Sequence, residues 1–332
     1  MTARLPTISI VLPNHNHARE LGISLAAIAA QTRPADQIVI VDDGSTDDSL
    51  EVISAFATHC PNLLLIKHEQ RQGVVAAVNR GVRAASGDYV ILASADERIL
   101  PDCCEAFAEA MAQFPQARLA VSKFTEWFPQ TGELRLGQDS ECDLWFLCGD
   151  GAEWVSPRRF HELLAKAHIR LSVNSAMFER ELLLEMGPFD PALRWHSDWF
   201  AIYAAAFRHG FCAIPRTLSW FRMEEDSYSS RGAADIADQE RVIEALYTKL
   251  DTREFADVRS ALMRSPSAMV PFMRTMLPML VKHPKRYPEA MFVGTWWLKQ
   301  FLQGRRPRAW ARFLNRKIRP AAGPAIAIPP SE

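Results

Sequence analysis

No apolar run in the 332-residue sequence reaches the roughly 20 residues that a bilayer-spanning helix needs. The best stretch, Ala268 to Val281, is interrupted by Pro271, Arg274 and Pro278. Met1 to Pro6 carry one arginine and no apolar stretch of the secretory kind, so no leader is expected there. Cysteine is sparse and unpatterned. The six residues Cys60, Cys103, Cys104, Cys142, Cys148 and Cys212 form no CxxC pair and no zinc-finger spacing with histidine. They predict free thiols in a reducing compartment. Net charge is also nearly absent, 38 Lys and Arg against 39 Asp and Glu, which argues against a surface coated for nucleic acid. Together these absences predict a cytoplasmic protein that at most touches the inner face of a membrane.

What is present is a globular composition, 48% hydrophobic, long enough for one large domain with an appendage or for two domains. Short apolar runs at Ile8–Leu12, ended by Pro13, and at Gln37–Val41, Leu63–Ile66 and Tyr89–Leu92 read as buried strands. Between them, residues 18–31, the stretch after Asp47 and residues 74–85 place apolar side chains at helical spacing, and a further helix starts at Pro101. This alternation predicts an α/β fold with a mostly parallel sheet and helices on both faces. Residues 116–180 are less regular. A strand is expected over 171–178, a short helix over 180–186, a helix over 199–209 ended by Gly210, and a strand over 218–222. From about residue 234 the pattern is helical.

Ligands of such sheets sit beyond the carboxyl ends of the strands, so the acidic residues there are the informative ones. Asp42-Asp43-Gly44-Ser45 follows the second strand, either as an Asx turn or as acceptors for a nucleobase N–H or ribose hydroxyl. Ser94-Ala95-Asp96-Glu97 follows the fourth strand. Asp96 there is either structural or a hard oxygen ligand for Mg²⁺ or Mn²⁺ bridging a diphosphate. Ser197-Asp198-Trp199 opens a helix, where Asp198 is either an ordinary cap or a general base.

The order of these motifs resembles the family 2 glycosyltransferases. The resemblance is carried by residues 8–16, Gln31-Thr32-Arg33-Pro34, residues 38–47, residues 76–81, Gly87-Asp88-Tyr89-Val90 and Leu100-Pro101-Asp102. It resumes at Phe178, Gly187-Pro188-Phe189-Asp190, Ser197-Asp198-Trp199, Phe221-Arg222 and Ser227 to Arg231, and so covers about residues 1–232. It implies a GT-A fold, a nucleotide-diphosphosugar donor (a UDP-sugar), a divalent metal, Mn²⁺ or Mg²⁺, and an inverting single displacement. It implies that Asp43 binds the base with Asp42 beside it and that Pro13 and Asn16 line the nucleotide pocket. Ser94 and Ala95 are implied at the donor, Asp96 as the metal ligand and Asp198 as the catalytic base. The sequence departs from the family pattern at Ser94 and Ala95, at Ser197, and at Arg222-Met223-Glu224.

Residues 282–319 contain eleven Lys and Arg and one acid, Glu289, so the neutral total conceals an acidic first part and a basic end. Trp310, Phe313, Leu314 and Ile318 fall on one helical face and Arg308, Arg312, Arg316 and Arg319 on another. Such a helix either meets an anionic membrane surface or packs its aromatic face on the rest of the protein. The expected organisation is a GT-A domain over 1–232, a basic helical appendage over 233–319 and a mobile tail over 320–332. The expected activity is sugar transfer to a glycan or glycolipid acceptor in surface-glycan assembly, with no nucleic-acid partner. A member that binds without catalysis, motivated by Ser94 and Ala95, and a membrane-docking scaffold are the alternatives.

Overall fold

Every second residue of the first strands faces one helical layer, and the residues between face another. The structure, a computed structural model, describes residues 5–136, 150–187, 189–224, 229, 232, 234–283 and 285–302. Its elements begin with β1 (Ile8–Asn14), α1 (Ala18–Ala29), β2 (Gln37–Asp42), α2 (Ser49–Ala57), β3 (Leu63–Lys67), α3 (Val74–Ala84), β4 (Tyr89–Leu92), β5 (Arg98–Ile99) and α4 (Cys103–Gln113). They continue with β6 (Leu119–Phe128), β7 (Glu133–Leu136), β8 (Glu153–Val155), α5 (Pro157–Lys166), β9 (Ala176–Glu179), α6 (Arg180–Glu185), α7 (Ser197–His209) and β10 (Phe211–Arg222).

The chain divides into two compact units. The first comprises residues 1–124, 148–160 and 171–221; the second comprises 125–147, 161–170 and 222–332. In the first unit the strands lie in the order β3-β2-β1-β4-β9-β6-β10-β5. Pairing is parallel from β3 through β4 and antiparallel from β4 to β9 and from β9 to β6. Ile8, Ile10, Leu12, Ile38 and Ile40 join a buried cluster with Leu21, Leu25, Ile53 and Phe107 from α1, α2 and α4. The alternate residues Val11 and Val41 face α3, where Gly81 lies so close that an added Cβ would press into the Val11 side chain. Both sheet faces are therefore covered, as a parallel sheet requires.

Several expected elements differ in detail. Pro13 does not end β1 but stays in the ladder opposite Val41. The strand expected over 171–178 begins as a 3-10 turn, Val173–Ser175, before β9. The irregular middle contains the ten-residue β6, and β10 starts at Phe211, well before the expected Leu218.

In the second unit, Thr125–Phe128 pairs antiparallel with Glu133–Leu136. Helices Ile236–Leu250, Ala256–Arg264, Met273–Lys282 and Pro288–Leu302 follow. Tyr247 and Tyr287, both buried, meet edge to face with ring centroids 4.7 Å apart. Ser267 Oγ donates to the Leu164 carbonyl at 2.6 Å, and His168 Nδ1 reaches the Ser267 carbonyl at 2.8 Å. Burial holds the His168 imidazole below its ordinary pKa. No described helix is long and apolar enough to cross a membrane. The basic helix expected around Trp310 to Arg319, the expected tail 320–332, and Pro188, Glu225, Ser227, Ser230 and Arg231 lie outside the described residues.

Candidate active site at the carboxyl edge of the sheet

The chain steps outward from β1 through β2 to β3, then returns across β1 to β4. Strand order reverses between β1 and β4, the place where open α/β sheets bind ligands. Pro13, Asn16, Asp42, Asp43, Ser94, Ala95 and Asp96 all fall at or just beyond the carboxyl ends of β1, β2 and β4.

Asp42 holds the first turn together. Its Oδ1 accepts from Asn14 Nδ2 at 2.9 Å and from Ser45 Oγ at 2.6 Å, and its Oδ2 accepts from the Ser45 N–H at 3.0 Å. Asn16, at φ 56°, joins the β1 and β2 turns by accepting from the Thr46 N–H at 2.8 Å. Asp47 also ties the two turns, accepting from the Ala18 and Ser49 N–H groups. Pro13 remains partly exposed at the end of its strand.

Asp43 is a different kind of carboxylate. It is only 2% exposed, yet three donors serve it: His68 Nδ1 at 2.7 Å, the Gln72 N–H at 2.8 Å and the Gly73 N–H at 2.7 Å. Burial works to raise its pKa, but the bonds from His68, Gln72 and Gly73 outweigh burial and hold the carboxyl below its ordinary value. A carboxylate offers about four lone-pair directions, so one acceptor position remains for a ligand. Gly44, at φ +68°, makes the close approach possible, since a Cβ there would sit 2.9 Å from the Arg71 nitrogen. Two buried polar atoms near these carboxylates, Asn14 Oδ1 and His15 Nδ1, find no partner among the described residues. Orphaned buried groups of this kind suit a polar ligand.

On the β4 side, Ser94 Oγ donates to Asp96 Oδ1 at 2.7 Å, and Ser24 Oγ fixes the Ser94 carbonyl at 2.8 Å. Ala95 is buried in the core cluster, 2% exposed, beside them. No group of three His, Cys, Asp or Glu side chains suited to a metal occurs among the described residues. A cation that shares a diphosphate needs only one or two protein carboxylates, with phosphate and water completing the shell. Asp96 fits that requirement and Glu97, next in sequence, accepts from Asn174 Nδ2. The donor set fits a shared cation and not a protein-only cage.

Asp198 stands in the first turn of α7, with the Trp199 N–H 2.6 Å from its Oδ1. The residue itself is open to water, but protein surrounds it closely, and that desolvation pushes the carboxyl pKa up to about 6. The Trp199 and Asp198 N–H groups oppose the shift without cancelling it. No hydrogen bond joins Asp198 to the strand-end carboxylates among the described residues. The link is the turn Val173–Ser175, which packs on both α7 and β4 and carries the Asn174 that holds Glu97. Just before α7, Arg194 is in a left-handed conformation at φ 47°.

Sequence reasoning did not single out His68 or Asn79. His68 follows β3 as Asp43 follows β2, and the register Asp42 opposite Lys67 brings them together, so the strand register is the signal that finds it. Asn79, buried in α3, clasps Phe189: its Nδ2 donates to the Phe189 carbonyl at 2.8 Å and its Oδ1 accepts from the Phe189 N–H at 2.7 Å.

Comparison with known proteins bears on the family and the fold. An uncharacterized glycosyltransferase of Nostoc sp. (strain PCC 7120) is 27% identical over 244 residues, 70% of this chain and 70% of the relative. A PGL/p-HBAD biosynthesis glycosyltransferase of Mycobacterium bovis is 38% identical over 94 residues, 28% of this chain and 37% of the relative. Among solved structures, residues 1–349 of Staphylococcus aureus TarS in complex with UDP-GlcNAc superpose with a TM-score of 0.56 at 16% identity, covering 91% of this chain and 93% of that one. That likeness shows a GT-A fold. The profile described as Glycosyl transferase family 2 matches residues 9–180, more than half of the chain, and the protein belongs to that family of glycosyltransferases.

Proposed function

We propose that the protein transfers a sugar from a nucleotide-diphosphosugar, UDP-linked, to a hydroxyl of a glycan or glycolipid in surface-polysaccharide assembly, with inversion at the anomeric carbon. The observation that carries the proposal is the contrast between two acidic groups of one unit. Asp43 is held ionised by three donors, while Asp198 is raised to about 6 at a helix start. A pKa below but near neutral suits a general base, which must be ionised yet able to take a proton. Residues 1–232 form the donor-binding and catalytic part. Asp43 accepts the N–H of the base, Pro13 and Asn16 border the nucleotide, and Ser94 and Ala95 lie on its ribose side. Asp42 supports this pocket through Asn14 and Ser45. Mn²⁺ or Mg²⁺, held by Asp96, would supply charge neutralisation for the departing diphosphate. Asp198 takes the proton of the acceptor hydroxyl as its oxygen bonds to the anomeric carbon and the bond to the diphosphate oxygen breaks. One displacement with no protein nucleophile inverts the centre.

The UDP-GlcNAc bound by the TarS structure supports the donor class. Exposed Leu277, Val281, Met291, Phe292 and Leu298, interspersed with Lys282, Lys285, Arg286 and Lys299, support contact of the basic end with an anionic membrane. A second reading, binding without turnover, is favoured by Ser94, whose weaker hydroxyl stands where the family pattern has an acid. Thermal shift against UDP-, GDP- and dTDP-sugars with Mn²⁺, followed by product release from the stabilising donor, separates the readings. A donor that stabilises the fold and is turned over supports transfer. Stabilisation with no hydrolysis or transfer by any donor supports binding alone.

A further inference from the structure

The carboxylate assigned above to the nucleobase is not free to choose its own orientation. His68 side-chain exposure is 9% and that of Asp43 is 3%, and Nδ1 of the imidazole meets Asp43 Oδ1 at 2.7 Å. The backbone reinforces the contact, because the His68 N–H donates to the Asp42 carbonyl at 2.9 Å. Two further donors, the N–H groups of Gln72 and Gly73, close the ring from the start of α3. Gln72 and His68 share Oδ1, while Gly73 takes Oδ2. The open acceptor position therefore falls on Oδ2.

We infer that His68 is a positioning residue, one that fixes Asp43 so that a single carboxylate oxygen is presented to the nucleobase and selects bases carrying a ring N–H. The inference rests on the proposed role of Asp43. Uracil and guanine offer an N–H between or beside carbonyl groups, and cytosine and adenine offer a ring nitrogen lone pair at the corresponding position. An ionised, immobile oxygen accepts from the first pair and repels the second. Without His68, Oδ1 keeps only the Gln72 N–H, and a second acceptor position opens on it for other partners. Selection among bases should then weaken along with affinity.

The test uses the full chain with Mn²⁺ and the free nucleotides UDP, GDP, CDP and ADP. His68→Leu keeps bulk and removes the donor; His68→Asn places an amide N–H where Nδ1 stands. The expected result is that His68→Leu weakens UDP or GDP by about tenfold and brings their affinities toward those of CDP and ADP. His68→Asn should stay within about threefold of the parent. A merely structural residue would lower melting temperature without moving the ratio of UDP to CDP affinity. If His68→Leu does not fold, His68→Ala replaces it, again removing the donor. Reduced UDP affinity at preserved kcat supports the inference, and unchanged affinity overturns it. A folded His68→Leu that keeps both affinity and base preference also overturns it. Asp43→Asn separates the two levels: if it too keeps UDP affinity, the reading of Asp43 as the base acceptor fails. If it alone loses affinity, only the role of His68 fails.

Discussion

Acidification should slow transfer at a pH where an ordinary aspartate would still be ionised. With the Asp198 carboxyl at about 6, the ionised fraction is about 0.9 at pH 7, about 0.5 at pH 6 and about 0.09 at pH 5. An aspartate near its ordinary value of about 3.9 would remain over about 0.9 ionised at pH 5. The perturbation is therefore a fall in kcat of about tenfold between pH 7 and pH 5, against almost none for an unshifted base. Donor binding should follow a different course. Asp43 is held below the ordinary carboxylate range, so nucleotide affinity should stay level across the same interval. The assay is kcat at saturating donor measured beside the nucleotide dissociation constant, at half-unit steps from pH 5 to 8. A kcat that is flat to pH 5, or one that falls only in step with donor binding, would refute the assignment of the shifted carboxyl to the chemical step.

The same shift has a consequence for stability with the opposite sense. A carboxyl whose folded pKa is raised favours the folded state while protonated, and that contribution is lost as pH rises through about 6. Asp198→Asn should thus melt higher than the parent at pH 7.5 and at about the same temperature at pH 4. Gly81→Ala, which crowds the Val11 side chain between α3 and β1, should cost about 1–3 kcal/mol in urea unfolding. Asn79→Leu strands the Phe189 N–H and carbonyl and should cost about 1–3 kcal/mol, seen as a lower denaturation midpoint at unchanged slope.

The first four strands were legible because each is a short apolar run closed by polar turn residues, and Tyr89–Leu92 matches its expectation residue for residue. Pro13 misled as a strand end because proline lacks only the donor; a neighbour that does not need that N–H can still pair with it. β6 escaped notice because Lys123, Thr125 and Glu126 interrupt its apolar residues, and Glu126 is buried by pairing with Arg170 at 2.9 Å. The site carboxylates stood out through their places at strand ends and through family likeness. Their partners did not. His68, 25 residues after Asp43, joins it only when β2 and β3 align, and sequence periodicity carries no such register. The raised Asp198 pKa is a property of surrounding mass, which no local motif encodes.

The central claim is that Asp198 moves the proton while other groups hold the donor. Asp198→Asn keeps shape and removes the base, so the decisive measurement is its donor affinity set beside its transfer rate, at pH 7 with Mn²⁺. The account predicts a nucleotide-sugar dissociation constant within about threefold of the parent and a transfer rate lower by about 10² to 10⁴. Transfer at a near-parental rate by the folded variant would contradict it.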